Sequence, residues 1–337
     1  MTVSRALRMD GRVAPATRDR IVRTARQLGY RPGGVQGRPR LAAGRRPEIV
    51  NVVMGLGPRS IFHYNLLMMI VEELAICRHD CVVRTCTSDY PQFLALCETL
   101  RGDPGAGMLI VGYLPNPQLQ ALLRIRTRIM LVDHPGDTAL EGNYGAVGFD
   151  NVEACRLAVR HLIGIGRRRV LLVKGIPDHY FSRAMERGYR EACEEAGLRV
   201  DATLILKSDF TVEGACAIVT EALRKKRNFD AVFSNDEMAC GIVRALHEQG
   251  LRVPGDVAVA GCDGLPVGLC LTPTLTTVRL DFAQLGKLAV QGLLEKPGTR
   301  PQPYRMQLIP CLEIRESTGA TPGADEIAVR PPTRTKP

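Results

Sequence analysis

No Cys-x-x-Cys pair occurs among the eleven cysteines of this 337-residue chain, and its six histidines are scattered without metal-ligand spacing. A structural zinc site needs soft ligands at short, regular intervals, so a zinc-built fold is excluded and no metal is expected. The cysteines read instead as small core hydrophobes in a reducing compartment. No basic, apolar, small-residue leader opens the chain, and no run of about 18 apolar residues occurs anywhere. Secretion and membrane spanning are therefore unsupported, and a cytoplasmic location is expected. No local motif assembles a nucleophile, a base and an orienting group, so neither catalysis nor a cofactor is predicted.

Lysine is absent from residues 1–47, which hold twelve Arg and only Asp10 and Asp19 as acids. That segment carries +10, the whole net charge of the chain, while the other 33 basic residues meet 33 acidic ones. A compact basic head on a neutral body suits duplex DNA, because each Arg that neutralises a backbone phosphate releases condensed counterions. A solvated basic tail would share this composition.

The length allows two or three domains, each burying its own core. Periodicity predicts short helices over 2–7 and 16–28, the second stopped by Gly29 and Pro32. Residues 33–47 mix Gly, Pro and Arg without apolar periodicity and read as a linker. Beyond them, apolar runs at 49–54, 81–86, 108–111, 129–133, 147–150, 170–173, 231–233 and 257–261 predict buried strands. Helical stretches near 64–78, 90–101, 116–125, 152–165, 182–197, 211–226 and 236–250 separate them. This alternation predicts an α/β protein with parallel sheets covered on both faces, and its extent implies two doubly wound lobes. A ligand is then expected between the lobes, at the carboxyl ends of the strands.

The segments Thr2-Val3-Ser4-Arg5-Ala6-Leu7, Thr17-Arg18-Asp19-Arg20-Ile21 and Ala25-Arg26-Gln27-Leu28-Gly29-Tyr30-Arg31-Pro32 resemble, in order and spacing, the helix-turn-helix headpiece of the lactose/galactose repressor (LacI/GalR) family. Further similarities are Ala158-Val159-Arg160-His161-Leu162, Ser234-Asn235-Asp236-Glu237-Met238-Ala239, Val253-Pro254-Gly255-Asp256-Val257 and Pro273-Thr274-Leu275-Thr276-Thr277-Val278. The resemblance implies periplasmic-binding-protein-like lobes behind a DNA-binding headpiece. Its domains would be a headpiece at 1–32, a hinge at 33–47, a first lobe at 48–148 plus 279–305, a second at 149–278 plus 306–318, and a disordered tail at 319–337.

By the same resemblance Thr2, Ser4 and Arg5 lie on the recognition helix, Arg8 also faces DNA, and Thr17 and Tyr30 belong to the DNA-binding set. Short hydroxyls hold phosphates, and a long Arg reaches guanine in the major groove. Leu41 matches a hinge leucine that wedges into the minor groove, although Gly33, Gly34, Gly37 and Pro39 oppose a hinge helix. The family's first helix and turn precede the point where this sequence starts. The resemblance thus implies a truncated headpiece, and operator binding that is weak or absent is expected of the sequence as written.

The effector-binding set implied by the resemblance comprises Phe62 and Asp133 in the first lobe and Asp150, Phe210, Asn235 and Asp263 in the second. Such carboxylates and amides satisfy paired hydroxyls, and an aromatic face stacks on a ring. Structural roles are equally open: Asp150 and Asp236 as helix N-caps, Phe210 as core, Asp263 as a turn former beside Gly261 and Gly264. Where the family commonly has an effector-binding Arg, this chain has Met185. Arg183, two residues earlier, is the candidate substitute, but a two-residue shift turns a helical side chain by about 200°.

The expected function is that of a transcriptional repressor: a homodimer on a near-palindromic operator, its grip altered when a small-molecule effector, a sugar or related metabolite, closes the cleft. A stand-alone solute-binding protein would share the lobes but not the basic head. A regulator remnant that no longer binds DNA would share both. A dinucleotide-binding dehydrogenase is disfavoured, since Gly55-Leu56-Gly57-Pro58-Arg59-Ser60 has Ser at the third small position and no acid ends the next strand.

Overall fold

A computed structural model describes residues 48–55, 60–134, 140–295 and 303–319, all within one of the two units, Met1–Pro47 and Glu48–Pro337, into which the chain divides. The predicted helices at 2–7 and 16–28, the hinge and the residues of the tail beyond 319 lie outside the described residues.

Twelve strands form two six-stranded sheets among the described residues. The first contains β1 (Ile49–Met54), β2 (Asp80–Thr85), β3 (Gly107–Val111), β4 (Ile129–Val132), β5 (Gly145–Phe149) and β11 (Tyr304–Leu308), in the order β11-β5-β4-β3-β1-β2. The second contains β6 (Val170–Lys174), β7 (Ile205–Lys207), β8 (Ala231–Phe233), β9 (Ala258–Asp263), β10 (Thr276–Arg279) and β12 (Cys311–Glu313), in the order β12-β10-β9-β8-β6-β7. Every pairing is parallel except that of β12 with β10. This agrees with the two doubly wound lobes expected.

Strands β3 (GMLIV), β4 (IMLV), β5 (GAVGF) and β6 (VLLVK) are buried at every residue, which is why they read as unbroken apolar runs rather than alternating ones. Helices cover the faces: α1 (Ile61–Ile76), α2 (Tyr90–Gly102), α3 (Asn116–Leu123) and α8 (Phe282–Leu294) on the first sheet, and α4 (Asn151–Gly164), α5 (Tyr180–Glu195), α6 (Val212–Arg224) and α7 (Asp236–Glu248) on the second. Side chains such as Leu66, Ile70, Leu109, Leu162 and Ile242 are fully buried between layers, each worth roughly 1.5–3 kcal/mol of transfer free energy.

Strand order 2-1-3 recurs in both sheets, so each has a switch point, between β1 and β3 and between β6 and β8. Crevices open at the carboxyl ends of strands at such points. The chain crosses between sheets three times, after Phe149, after Arg279 and after Leu308. The last crossing follows the whole of β11 instead of cutting it at 305, because Tyr304–Leu308 pair along their full length with β5.

Candidate functional site

The carboxyl ends of both sheets converge on an inner cavity of about 50 Å³, lined by Ser60, Phe62, His63, Asp133, Asn151, His179, Tyr180, Phe181, Phe210, Asn235 and Asp263. An outer space of about 620 Å³ adjoins it and shares Asp133, Asn151 and Tyr180. Asp150, Arg183, Arg187, Arg305 and Gln307 line that outer space.

Chain topology accounts for the convergence. Ser60 and Phe62 follow β1, and the Ser60 side chain caps α1 by accepting from the His63 amide at 3.3 Å while its hydroxyl meets His63 Nδ1 at 2.7 Å. Asp133 follows β4 directly, His179 and Tyr180 open α5 after β6, Phe210 follows β7, and Asp263 ends β9. Asn235 follows β8 and caps α7, its Oδ1 accepting from the Met238 amide at 3.1 Å.

Three of these residues hold backbone conformations that side chains rarely adopt: Asp133 at φ 51°, Phe210 at φ 67° and Asp263 at φ 128°. Outliers of this kind cost about 1–3 kcal/mol each and persist where surrounding packing over-determines them. The Phe210 ring also needs glycine beside it: a Cβ on Gly175 would lie 2.3 Å from the ring, so only glycine at 175 lets the ring lie there.

Electrostatically the inner cavity is acidic, with Asp133 and Asp263 both buried in its lining. Tyr180, from the second lobe, donates its hydroxyl across the cleft to Asp133 Oδ2 of the first at 2.5 Å, and Asp133 Oδ1 has no hydrogen-bond partner among the described residues. Burial pushes the Asp133 carboxyl up to about 7, opposed by the Tyr180 hydroxyl and the nearby Asn151 amide. Burial, with the negative fields of Cys262, Asp236, Glu237 and Asp133, pushes Asp263 well above the usual carboxylate range. Burial also pushes His179 down to about 4, with His63 and Arg183 adding to the shift, and lowers His63. A second bond joins the lobes at the rim, where the Ile61 amide donates to Glu237 Oε2 at 3.2 Å. Tyr113 of the first lobe packs edge-on to His179 and stacks on Tyr180, with centroids 5.5 and 6.3 Å apart.

Of the effector residues implied by resemblance, Phe62, Asp133, Phe210, Asn235 and Asp263 come together at the inner cavity. Asp150 and Arg183 stand on the outer space only: Asp150 caps α4 by accepting from the Glu153 amide at 3.0 Å, and exposed Arg183 donates to the Asp178 carbonyl at 2.6 Å. Met185 is fully buried in the core behind α5. The cap reading of Asp236 needs correction, since Asn235 holds the cap. Asp236 instead accepts from Thr277 Oγ1 at 2.6 Å and the Leu265 amide at 2.7 Å, tying α7 to β10 and to the turn after β9. The sequence reading passed over His63, Asn151, His179, Tyr180 and Phe181. The run His179-Tyr180-Phe181 was an available signal, in a chain with only eight Phe, eight Tyr and no Trp.

A two-lobed α/β clamshell with a polar-and-aromatic cleft at paired switch points defines the ligand-binding half of a sensor. Residues 1–33 match the sequence model of the bacterial regulatory proteins of the lacI family, and residues 159–318 match that of the periplasmic binding protein-like domain. The chain is 31% identical over 334 residues to the HTH-type transcriptional regulator MalR of Streptomyces coelicolor, covering 96% of this chain and 94% of that one. It is 29% identical to the HTH-type transcriptional regulator CelR of Thermobifida fusca, covering 94% of each. A solved complex of the transcriptional regulator CelR with cellobiose superposes with a TM-score of 0.74 at 28% identity, covering 94% of this chain and 95% of that one. The chain belongs to the LacI family, and it is a DNA-binding transcriptional regulator. No helix among the described residues is long and apolar enough to cross a membrane.

Proposed function

We propose that this chain is a cytoplasmic, non-enzymatic repressor that holds a near-palindromic operator as a homodimer and releases it when a small molecule enters the cleft between its lobes. The observation that carries the reading is the convergence of Phe62, Asp133, Phe210, Asn235 and Asp263, from separate strand ends of two sheets, on one cavity bridged by the Tyr180–Asp133 bond. A ligand there contacts both lobes and so biases their relative position, which is what a cleft-operated switch requires. Asp150 and Arg183 serve the ligand from the outer space. Thr2, Ser4, Arg5, Arg8, Thr17 and Tyr30 contact DNA, and Leu41 enters the minor groove.

Dimerisation is supported by an apolar stripe at helical spacing on α1, where Tyr64, Met68 and Ile76 are 62%, 50% and 73% exposed, beside Val83 on the edge strand β2. Met68→Glu should shift the full chain toward monomer in sedimentation velocity, and an unchanged mass would place the dimer contact elsewhere.

The direct test is fluorescence anisotropy of the full chain on duplexes selected from genomic fragments at low salt. Binding should weaken steeply with added salt, since several phosphate contacts are lost together. It should also weaken in Arg5→Ala and Arg8→Ala and respond to a cleft ligand. Duplex affinity unaffected by both substitutions would refute the headpiece assignment.

A further inference from the structure

The second lobe gathers its cations at one end. The segments that lead into β7, β6, β8 and β9 (residues 196–204, 165–169, 225–230 and 249–257) hold eight Arg and Lys against three Asp. These strands are neighbours, in the order β9-β8-β6-β7, so the four segments form one surface at the amino ends of the sheet. At about 4.8 Å per strand the row is about 14 Å wide, and the length of β6 sets it about 15 Å from the cleft at the carboxyl ends.

The three acids are largely engaged locally. Asp230 accepts from the Arg168 and Arg169 amides at 2.9 Å each, and Asp256 pairs with Arg252 at 2.9 Å. Asp201 accepts from the Thr203 hydroxyl and amide, which lower its carboxyl, with Arg169 and Arg227 adding to the shift. Lys225 pairs with Glu221 of α6 at 3.1 Å. Arg167, Arg168, Arg169, Arg199, Lys226 and Arg227 have no ion pair among the described residues. On the helices of the same lobe, by contrast, Arg160, Arg187, Arg190 and Arg244 each meet a glutamate. Three of the six are also held in place: Arg167 donates to the Pro254 carbonyl and Arg169 to the Asn228 carbonyl, both at 2.6 Å, and Arg227 to the Thr203 carbonyl. A guanidinium has five N–H donors, so each keeps most of them for a partner, at a reduced ordering cost.

Like charges gathered without counter-charges repel one another and oppose folding, so the cluster calls for an anion. A protein partner would need apolar contacts at the centre of its interface. Among the large apolar side chains of these segments only Ile165 is exposed, at 41%, while Phe229, Val253 and Val257 are buried. Duplex DNA needs no such centre: its phosphates accept the guanidinium fork, and a row about 14 Å wide matches a major groove of about 12 Å flanked by backbone.

We propose that the amino-end surface of the second lobe is a second duplex-binding site, separate from residues 1–47, that grips backbone phosphates on either side of a groove without reading bases. Its affinity comes from counterion release and is indifferent to sequence.

The test is fluorescence anisotropy of the full chain on an arbitrary duplex of about 30 base pairs, in a salt series starting at about 50 mM. Arg168, Arg199 and Lys226 are exposed and make no side-chain hydrogen bond among the described residues, so the triple variant Arg168→Ala, Arg199→Ala, Lys226→Ala should keep its fold. It should bind about tenfold more weakly at the lowest salt, with the slope of log affinity against log salt reduced by about two to three. The charge-keeping triple Arg168→Lys, Arg199→Lys, Lys226→Arg should bind like the unaltered chain. With Arg5→Ala and Arg8→Ala already in place, the binding that remains should fall again when the alanine triple is added, since separate surfaces contribute independently. Unchanged affinity and salt slope in the alanine triple overturn the proposal, and are what a surface for an acidic protein would give. Equal loss in the alanine and charge-keeping triples overturns it as well, because charge is then not what binds. Complete loss of duplex binding in the Arg5→Ala, Arg8→Ala chain also overturns it, while leaving the headpiece reading intact.

Discussion

The ring of Phe210, whose backbone sits at φ 67°, occupies space that a side chain on Gly175 would fill, so the smallest addition at Gly175 is a sensitive probe. Gly175→Ala should displace the ring into the cavity and destabilise the protein by about 1–3 kcal/mol in urea titration, with weakened ligand binding. Retained stability would mean that the ring swings aside freely. Asp133 invites a subtler change. Its folded carboxyl is raised to about 7, above its unfolded value, so its contribution is favourable at low pH and is lost as pH rises through about 7. His63 and His179, lowered by burial, run the opposite way below their ordinary range, so only the difference between variants isolates Asp133. Asp133→Asn should therefore gain up to a few kcal/mol relative to the unaltered chain between about pH 4 and 7.5. The two melting profiles should diverge with rising pH, and parallel profiles would show that Asp133 is not the strained acid. Phe62, Asp133, Phe210, Asn235 and Asp263, expected from the family resemblance alone, do meet at one cavity. Tyr180 and His179 were not legible, because residues that open an amphipathic helix look like ordinary helix, and nothing local says that Tyr180 reaches the other lobe.

Among elements, the strands buried on both faces were the most legible, since β3, β4 and β6 need apolar side chains on both sides and so print as uninterrupted runs. Short or edge strands lack that signature: β7 has three residues, and β11 alternates half-buried with exposed positions, so neither was foreseen. Helix α8 was passed over as well, although Leu285, Gly286, Ala289, Val290 and Leu293 give it a buried stripe. Asp236 shows what element junctions ask of a side chain. It is fully buried, accepts from Thr277 of β10 and from the Leu265 amide, and burial holds its carboxyl at about 6 against those donors. Thr277→Val removes one donor at nearly constant shape and should cost about 1–3 kcal/mol. The loss should grow as pH rises past about 6, because an acid whose folded pKa is raised loses stability on ionisation. A variant as stable as the original at pH 8 would show that the Leu265 amide alone suffices.

At the scale of the whole molecule, two lobes were foreseeable from the number of βαβ repeats, but the contacts that hold them together were not, because they join residues far apart in sequence. Among the described residues, hydrogen bonds cross the cleft from Tyr180 to Asp133 inside and from the Ile61 amide to Glu237 at the rim. The inner bond is charge-assisted whenever Asp133 is ionised, and the Tyr113–Tyr180 stacking shields it. Tyr180→Phe keeps the ring and the stacking but leaves both Asp133 oxygens without a hydroxyl donor. The closed arrangement should then lose about 1–3 kcal/mol relative to an open one. The expected outcome is a larger radius of gyration for the ligand-free variant in small-angle X-ray scattering. Ligand binding should restore the smaller value, and operator affinity should change in the ligand-free state alone. If the variant scatters like the unaltered chain and binds operator equally well, the bridge contributes nothing to closure and the rim contact at Glu237 must carry it.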